Sequence, residues 1–303
     1  MKKKIQMYIC FLLVVVIGSF VACGPEFRLD LVGNIVGTSP RIDQRLADSE
    51  KYNATHPFVT LQAPAEDYHV YVCTDTHITT EVERWQSFVD AYRQDMLCPV
   101  AIHLGDVVDA QNHFDEVYTA FAQVPHNPLK PDTMMVVAGN HDICFSQWPA
   151  FIETFKTSTY YFIVETPQGQ QDLYIMFDSA DGTVGRKQLA WLKETLEWAA
   201  MQKFRHVVTC THTHFFMRDG SQGIATNFSI EETYSLLNLF HSNGVDMVWT
   251  GHDHSREVTH YKGMTCIIVD SMTAEDKSPH YMLVTMGDKV TYDFVPVKVE
   301  QSQ

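Results

Sequence analysis

Five short apolar runs in this chain are each followed by a cluster of aspartate, histidine or asparagine side chains, and that repeated pairing restricts the folds open to it. The runs are residues 69–73, 100–104, 134–138, 206–210 and 245–249, with a sixth of the same character at 173–177. Each is bounded by turn residues, which is how a buried strand reads. The clusters are Asp75-Thr76-His77, Gly105-Asp106-Val107-Val108-Asp109, Gly139-Asn140-His141-Asp142, Thr211-His212-Thr213-His214 and Gly251-His252-Asp253-His254.

Between the runs lie amphipathic stretches of helix length, notably 82–97, 186–203 and 230–242, so the order is β-α. From residue 265 onward strands dominate, at 266–269, 281–286 and 290–297, with Gly287-Asp288 as a hairpin turn. The expectation is an α/β body finished by a mostly antiparallel sheet. With 303 residues, 45% of them hydrophobic, the chain has the apolar surface for a substantial core. In an open α/β sheet ligands bind beyond the carboxyl ends of the strands, so the five clusters can converge on one site.

Those clusters offer imidazoles, carboxylates and an amide oxygen, a mixed nitrogen and oxygen set suited to Mn, Fe, Zn, Co or Ni. Thiolates are missing from them, which disfavours a structural zinc site. A carboxylate between two cations can bridge them, and such a pair forms a clamp for in-line displacement at phosphorus. The glycines before Asp106, Asn140 and His252 allow tight turns from strand to loop.

In order and spacing the five clusters resemble the signature of the calcineurin-like metallophosphoesterases, from Asp75 to His254. The resemblance implies a four-layer αββα sandwich over residues 68–300. It implies two divalent ions, one held by Asp75, His77, Asp106 and His254, the other by Asp106, Asn140, His212 and His252, with Asp106 shared and a bridging hydroxide as nucleophile. His141 matches the family's general acid, and Asp109 the carboxylate that orients it. A histidine beside two cations needs such a partner if its imidazolium form is to survive.

Departures from relatives bear on substrate. Asp109 stands where purple acid phosphatases carry a tyrosine, and Ala110-Gln111 where protein phosphatases carry Arg-Gly, which removes a phosphate-clamping arginine. His214 replaces a common proline. It is open to three readings, substrate contact, hydrogen-bond partner of a ligand, or tolerated surface residue, and the last is the simplest. Asp142 reads as a loop or helix cap, while Asn112 and His113 read as structural. The remaining histidines, His56, His69, His103, His126, His206, His241, His260 and His280, read as packing or surface residues. Trp148 and Phe216 follow the motifs and are candidates for a pocket wall.

At the start, Lys2-Lys3-Lys4, an apolar stretch and Gly18-Ser19-Phe20-Val21-Ala22-Cys23 have the layout of a secretory signal over residues 1–22. The exit resembles a bacterial lipoprotein box with Cys23 as the lipidated residue; a single membrane-spanning anchor over residues 5–22 is the alternative. Residues 23–67 read as a tether and strap, with one short polar helix over 41–53 and no chemistry of its own. The thiols of Cys73, Cys98, Cys144, Cys210 and Cys266 are spread singly, unlike a disulfide scaffold or zinc ribbon.

A net charge of −15 would repel a nucleic-acid backbone, so nucleic acid is an unlikely partner and a small phosphoester a better one. The expected protein is an exported lipoprotein, periplasmic or at the cell surface, joined to a membrane by its lipid. There it hydrolyses phosphate mono- or diesters. The alternatives are a surface protein that binds phosphorylated ligands without turnover, and a nuclease.

Overall fold

The structure, a computed structural model, describes residues 41–56, 58–78, 82–109, 133–216 and 227–298. The expected signal segment, Cys23, the first part of the expected strap, and Ala110, Gln111, Asn112, His113 and His126 lie outside the described residues. Among the described residues no helix is long and apolar enough to cross a membrane.

Strand residues that alternate between two apolar environments build the layers. The first sheet contains β1 (Thr60–Gln62), β5 (Tyr160–Glu165), β6 (Gln171–Met176), β7 (His206–Cys210), β8 (Met247–Thr250), β9 (Glu257–Tyr261) and β10 (Met264–Ile268), in the order β1-β5-β6-β7-β8-β10-β9. The second contains β2 (Tyr68–Cys73), β3 (Val100–His103), β4 (Thr133–Val136), β11 (His280–Met286) and β12 (Thr291–Pro296), in the order β12-β11-β2-β3-β4. Val70, Val72, Val100 and Ile102 of the second sheet meet Tyr174, Met176, Val208 and Cys210 of the first in one buried core. Their neighbours point the other way, as the two-residue period of a strand requires. Tyr71, Cys73 and Ala101 face helix α2 (Glu83–Gln94), through its Trp85, Phe88 and Tyr92. Leu173, Ile175 and Val207 face helices α5 (Gly185–Met201) and α6 (Ile230–Ser242), through Leu192, Leu196, Leu236 and Phe240. Two sheets with helices outside both make the four-layer αββα sandwich, and each fully buried aliphatic or aromatic side chain contributes roughly 1.5–3 kcal/mol to it.

The helix expected at 230–242 forms at that span, where the Ser229 hydroxyl accepts from the Glu232 N–H at 3.1 Å and caps its first turn. The strand-rich tail does not make a sheet of its own. β10 joins the first sheet parallel to β8, whereas β11 pairs antiparallel with β2 in the second. Both are apolar enough to lie inside a sandwich, and each is drawn to a different unpaired edge. β5 and helix α4 (Trp148–Phe155), absent from the sequence expectations, complete the first sheet and the outer layer beside α2.

The polar helix of the strap is α1 (Ile42–Asn53), packed on α4 and α5 with Ile42 and Leu46 buried. All five cysteines of the described residues are free thiols, Cys73 and Cys210 in the core.

Candidate metal centre

The side chains in question leave the carboxyl ends of β2, β3 and β4 in one sheet and of β7 and β8 in the other, so the site straddles the top of the sandwich. The backbone turns sharply there. Asp75, His77, Asp106, His252 and His254 all have positive φ, between 42° and 74°, a region that costs a non-glycine residue energy and recurs at functional sites. Gly105, at φ 94°, makes the turn into Asp106; a Cβ there would lie 2.6 Å from the Gly139 nitrogen and 2.9 Å from the His212 ring.

Each buried carboxylate is held by one oxygen and offers the other. Asp75 Oδ2 accepts from the Thr74 hydroxyl at 2.7 Å and the His252 N–H at 2.8 Å. Its Oδ1 has no hydrogen-bond partner among the described residues, and lies 3.4 Å from His254 Nε2 and 3.8 Å from His77 Nε2. Asp106 Oδ1 accepts from the His141 N–H at 2.7 Å, while Oδ2 lies 3.3 Å from His212 Nε2 and 3.6 Å from His77 Nε2. His212 Nδ1 faces the Leu104 carbonyl at 2.8 Å, which turns Nε2 toward Asn140 Oδ1 at 3.0 Å and His252 Nδ1 at 3.1 Å.

Donor atoms spaced like this suit a cation. Ligands about 2.1 Å from a shared ion stand roughly 3–3.5 Å apart, and orphaned buried atoms such as Asp75 Oδ1 and His77 Nε2 gain the partner they lack. Three groups bring their ligand atoms within 4.8 Å of one another: Asp75, His77 and His254; Asp106, His212 and His252; and His77, Asp109 and His141. All seven residues expected as ligands therefore lie in one site, Asn140 through His212.

Electrostatics agree with a preformed cation site. Burial would raise the Asp75 carboxyl, but the facing imidazoles of His254 and His77 outweigh it and hold it well below its usual range. Asp106 is likewise lowered, against its burial, by His212 and His77. His212 is pushed up to about 9 because Asp106 and Asp75 outweigh its burial. His252 falls to about 4, through burial and then the neighbouring His212. His141 Nδ1 stands 3.4 Å from Asp109 Oδ1, with its ring 4.4 Å from that of His77.

Some residues behave differently from their sequence reading. His214 is not at the surface: it is 4% exposed, neither ring nitrogen has a hydrogen-bond partner among the described residues, and its ring lies 5.7 Å from that of His252. The threonine hydroxyls beside it bond to the β6 loop and draw the residues after β7 into the core. Trp148 is no pocket wall, being buried with Nε1 donating to Asp48 at 2.8 Å. Asp142, in the short helix α3 (Asn140–Ile143), is the expected cap, accepting from the N–H groups of Gly139, Val107 and Val108 and so joining two of the site loops. Thr74 was missed; its one sequence signal is a hydroxyl immediately before the strand-end aspartate.

Residues 68–256 match the family model of calcineurin-like phosphoesterases. A curated relative, a manganese-dependent ADP-ribose/CDP-alcohol diphosphatase from Arabidopsis thaliana, is 27% identical over 133 residues, and the match spans only 41% of each chain. Among solved structures, a dimetal phosphatase from Danio rerio superposes with a TM-score of 0.59 at 13% identity, covering 77% of this chain and 97% of that one. A purple acid phosphatase from yellow lupin (Lupinus luteus) gives 0.59 at 13% identity, covering 76% and 52%. At these identities the two structures speak for the fold.

Proposed function

The chain belongs to the calcineurin-like phosphoesterases, and on that premise we propose that it is a two-metal hydrolase of small phosphate mono- or diesters. The observation that carries this reading is the place of Asp106 Oδ2 between His77 Nε2 at 3.6 Å and His212 Nε2 at 3.3 Å, one buried oxygen shared by two donor groups. Asp75, His77 and His254 would hold one ion and Asn140, His212 and His252 the other, with Asp106 common to both. Bound divalent ions supply Lewis-acid polarisation of phosphate oxygens and a water acidic enough to attack near neutral pH.

The chain's own groups do the rest. Asp109, 3.4 Å from His141 Nδ1, orients the ring and leaves Nε2 to protonate the departing oxygen. Asp142, holding three backbone N–H groups, keeps the Asp106 and Asn140 loops in register so that both donors meet. The net charge of −15 favours small substrates over nucleic-acid polymers. Because the Arabidopsis relative is named for ADP-ribose and CDP-alcohols, ADP-ribose is among the first substrates to test. As a location we propose the cell envelope, with Cys23 lipidated; membrane association that survives Cys23→Ser would count against it.

The deciding assay compares p-nitrophenyl phosphate, bis-p-nitrophenyl phosphate and ADP-ribose with Mn²⁺-loaded protein, beside a His141→Ala control. Turnover of at least one, falling about 10²–10⁴-fold in the control with metal content unchanged, supports the proposal. Protein that holds two ions and hydrolyses none of the three would favour binding without turnover.

A further inference from the structure

The strap helix α1 lies outside residues 68–256, the span shared with the family, yet its side chains reach two of the site loops. Arg45 is fully buried. Its Nε and Nη2 fork onto Asp178 at 2.7 and 3.1 Å, and Nη1 donates to Asp181 at 2.8 Å. Asp178 opens the loop after β6, and the next residue is Ser179. The Thr211 hydroxyl gives its proton to the Phe177 carbonyl at 2.7 Å, so the Ser179 hydroxyl donates to Thr211 Oγ1 at 2.7 Å and accepts from the Thr213 N–H at 2.8 Å, and the Ser179 carbonyl accepts from the Thr213 hydroxyl at 2.7 Å. Thr211 and Thr213 flank His212, so one arm runs from Arg45 to that histidine.

A second arm starts one turn further along the helix. The Ser49 hydroxyl accepts from the Ser158 N–H at 3.1 Å, and the Ser158 hydroxyl accepts from the Ala138 N–H at 2.9 Å. Ala138 is two residues before Asn140. Asp48, between the two arms, accepts from Trp148 Nε1, and the Arg45 guanidinium lies over the same indole at 5.7 Å. The arms end on Asn140 and His212, whose Oδ1 and Nε2 are 3.0 Å apart and which come from different sheets.

We propose that α1 is a brace that sets the separation of Asn140 and His212, with Arg45 and Ser49 as positioning residues for the ion that this pair shares with His252. The inference rests on the two-ion reading above. A group outside both arms, Asp75 with His77 and His254, serves as the internal reference. Arg45→Met would strand the Asp178 and Asp181 carboxylates and endanger folding. Arg45→Lys keeps the charge and loses the fork, and Ser49→Ala cuts the other arm alone.

Co²⁺ titration of the metal-stripped full chain, with a His252→Ala control to assign the binding steps, reads the effect independently of turnover. Expected is a weakening of about tenfold in the step lost in His252→Ala, in both Arg45→Lys and Ser49→Ala, with the other step unchanged. Equal weakening of both steps, or none, in variants that remain folded by circular dichroism would overturn the brace. Wild-type protein taking up fewer than two ions would overturn the two-ion reading, and the brace with it.

Discussion

Asp106 Oδ2 and His212 Nε2 lie 3.3 Å apart across the junction of the two sheets, and each sets the protonation of the other. The carboxylate raises the imidazole to about 9, and the imidazole, with His77, holds the carboxylate low. The proton belongs to the pair, and in the metal-free protein near pH 7 it is present.

A metal ligand must give up that proton, so ion binding near pH 7.5 is expected to release at least one proton per chain. The sign follows from the raised pKa: below about 9 the ion competes with a proton, and above it the competition fades. Calorimetric titration with Mn²⁺ in two buffers of different ionisation enthalpy measures the release. Enthalpies identical in both buffers at pH 7.5 would mean that His212 is already neutral.

Gly139 allows no side chain, for steric reasons alone. Its φ is −103°, open to any residue, but an added Cβ would meet Asp106 Oδ1 and the Asp106 nitrogen well inside contact distance. Gly139→Ala must displace the shared carboxylate or the Asn140 loop. The expected result is a loss of about 1–3 kcal/mol in stability together with loss of metal, read by thermal unfolding and by metal analysis of the same sample. An alanine variant with full metal content would show that the loop yields at little cost.

Much of this site was legible because its chemistry sits in local words at strand ends, and strand ends in an α/β protein share one side. What was not legible depends on distance. Arg45 in a polar helix reads as solvent-facing, and only the fold brings Asp178, 133 residues away, to bury it. Nothing in residues 265–297 says which strand of the tail joins which sheet, because either edge suits an apolar run. The left-handed backbone at five of the donor residues is likewise invisible, since aspartate and histidine do not demand it as glycine does.

His103 gives a pH dependence that can be isolated. It is buried at the end of β3, where Gly105 N–H donates to Nδ1 at 3.2 Å. The Thr76 hydroxyl gives its proton to the Val107 carbonyl, so His103 Nε2–H donates to Thr76 at 3.0 Å. A second ring proton would face the Gly105 N–H. Burial, the largest influence, lowers the group to about 3. The unfolded chain binds a proton near 6.5, so this contribution to stability is complete above that pH and is lost as pH falls toward 3. Urea unfolding of metal-stripped protein between pH 6 and 4 should show a slope steeper by about 1.4 kcal/mol per pH unit in wild type than in His103→Gln. Equal slopes would place the proton elsewhere.

His214 presents the opposite case, a buried group with nothing to bond among the described residues. Burial lowers its pKa, so near neutral pH the ring is uncharged, and a neutral imidazole still has one N–H to donate and one lone pair to fill. A polar atom buried without a partner costs about 1–3 kcal/mol, and an apolar side chain of similar size removes that cost. His214→Leu is therefore expected to raise the unfolding free energy of the metal-free chain by about 1 kcal/mol in urea, without changing the stoichiometry of metal uptake. A variant less stable than wild type would mean that the ring makes a bond in solution, and loss of an ion as well would place His214 among the groups that hold His252 in position.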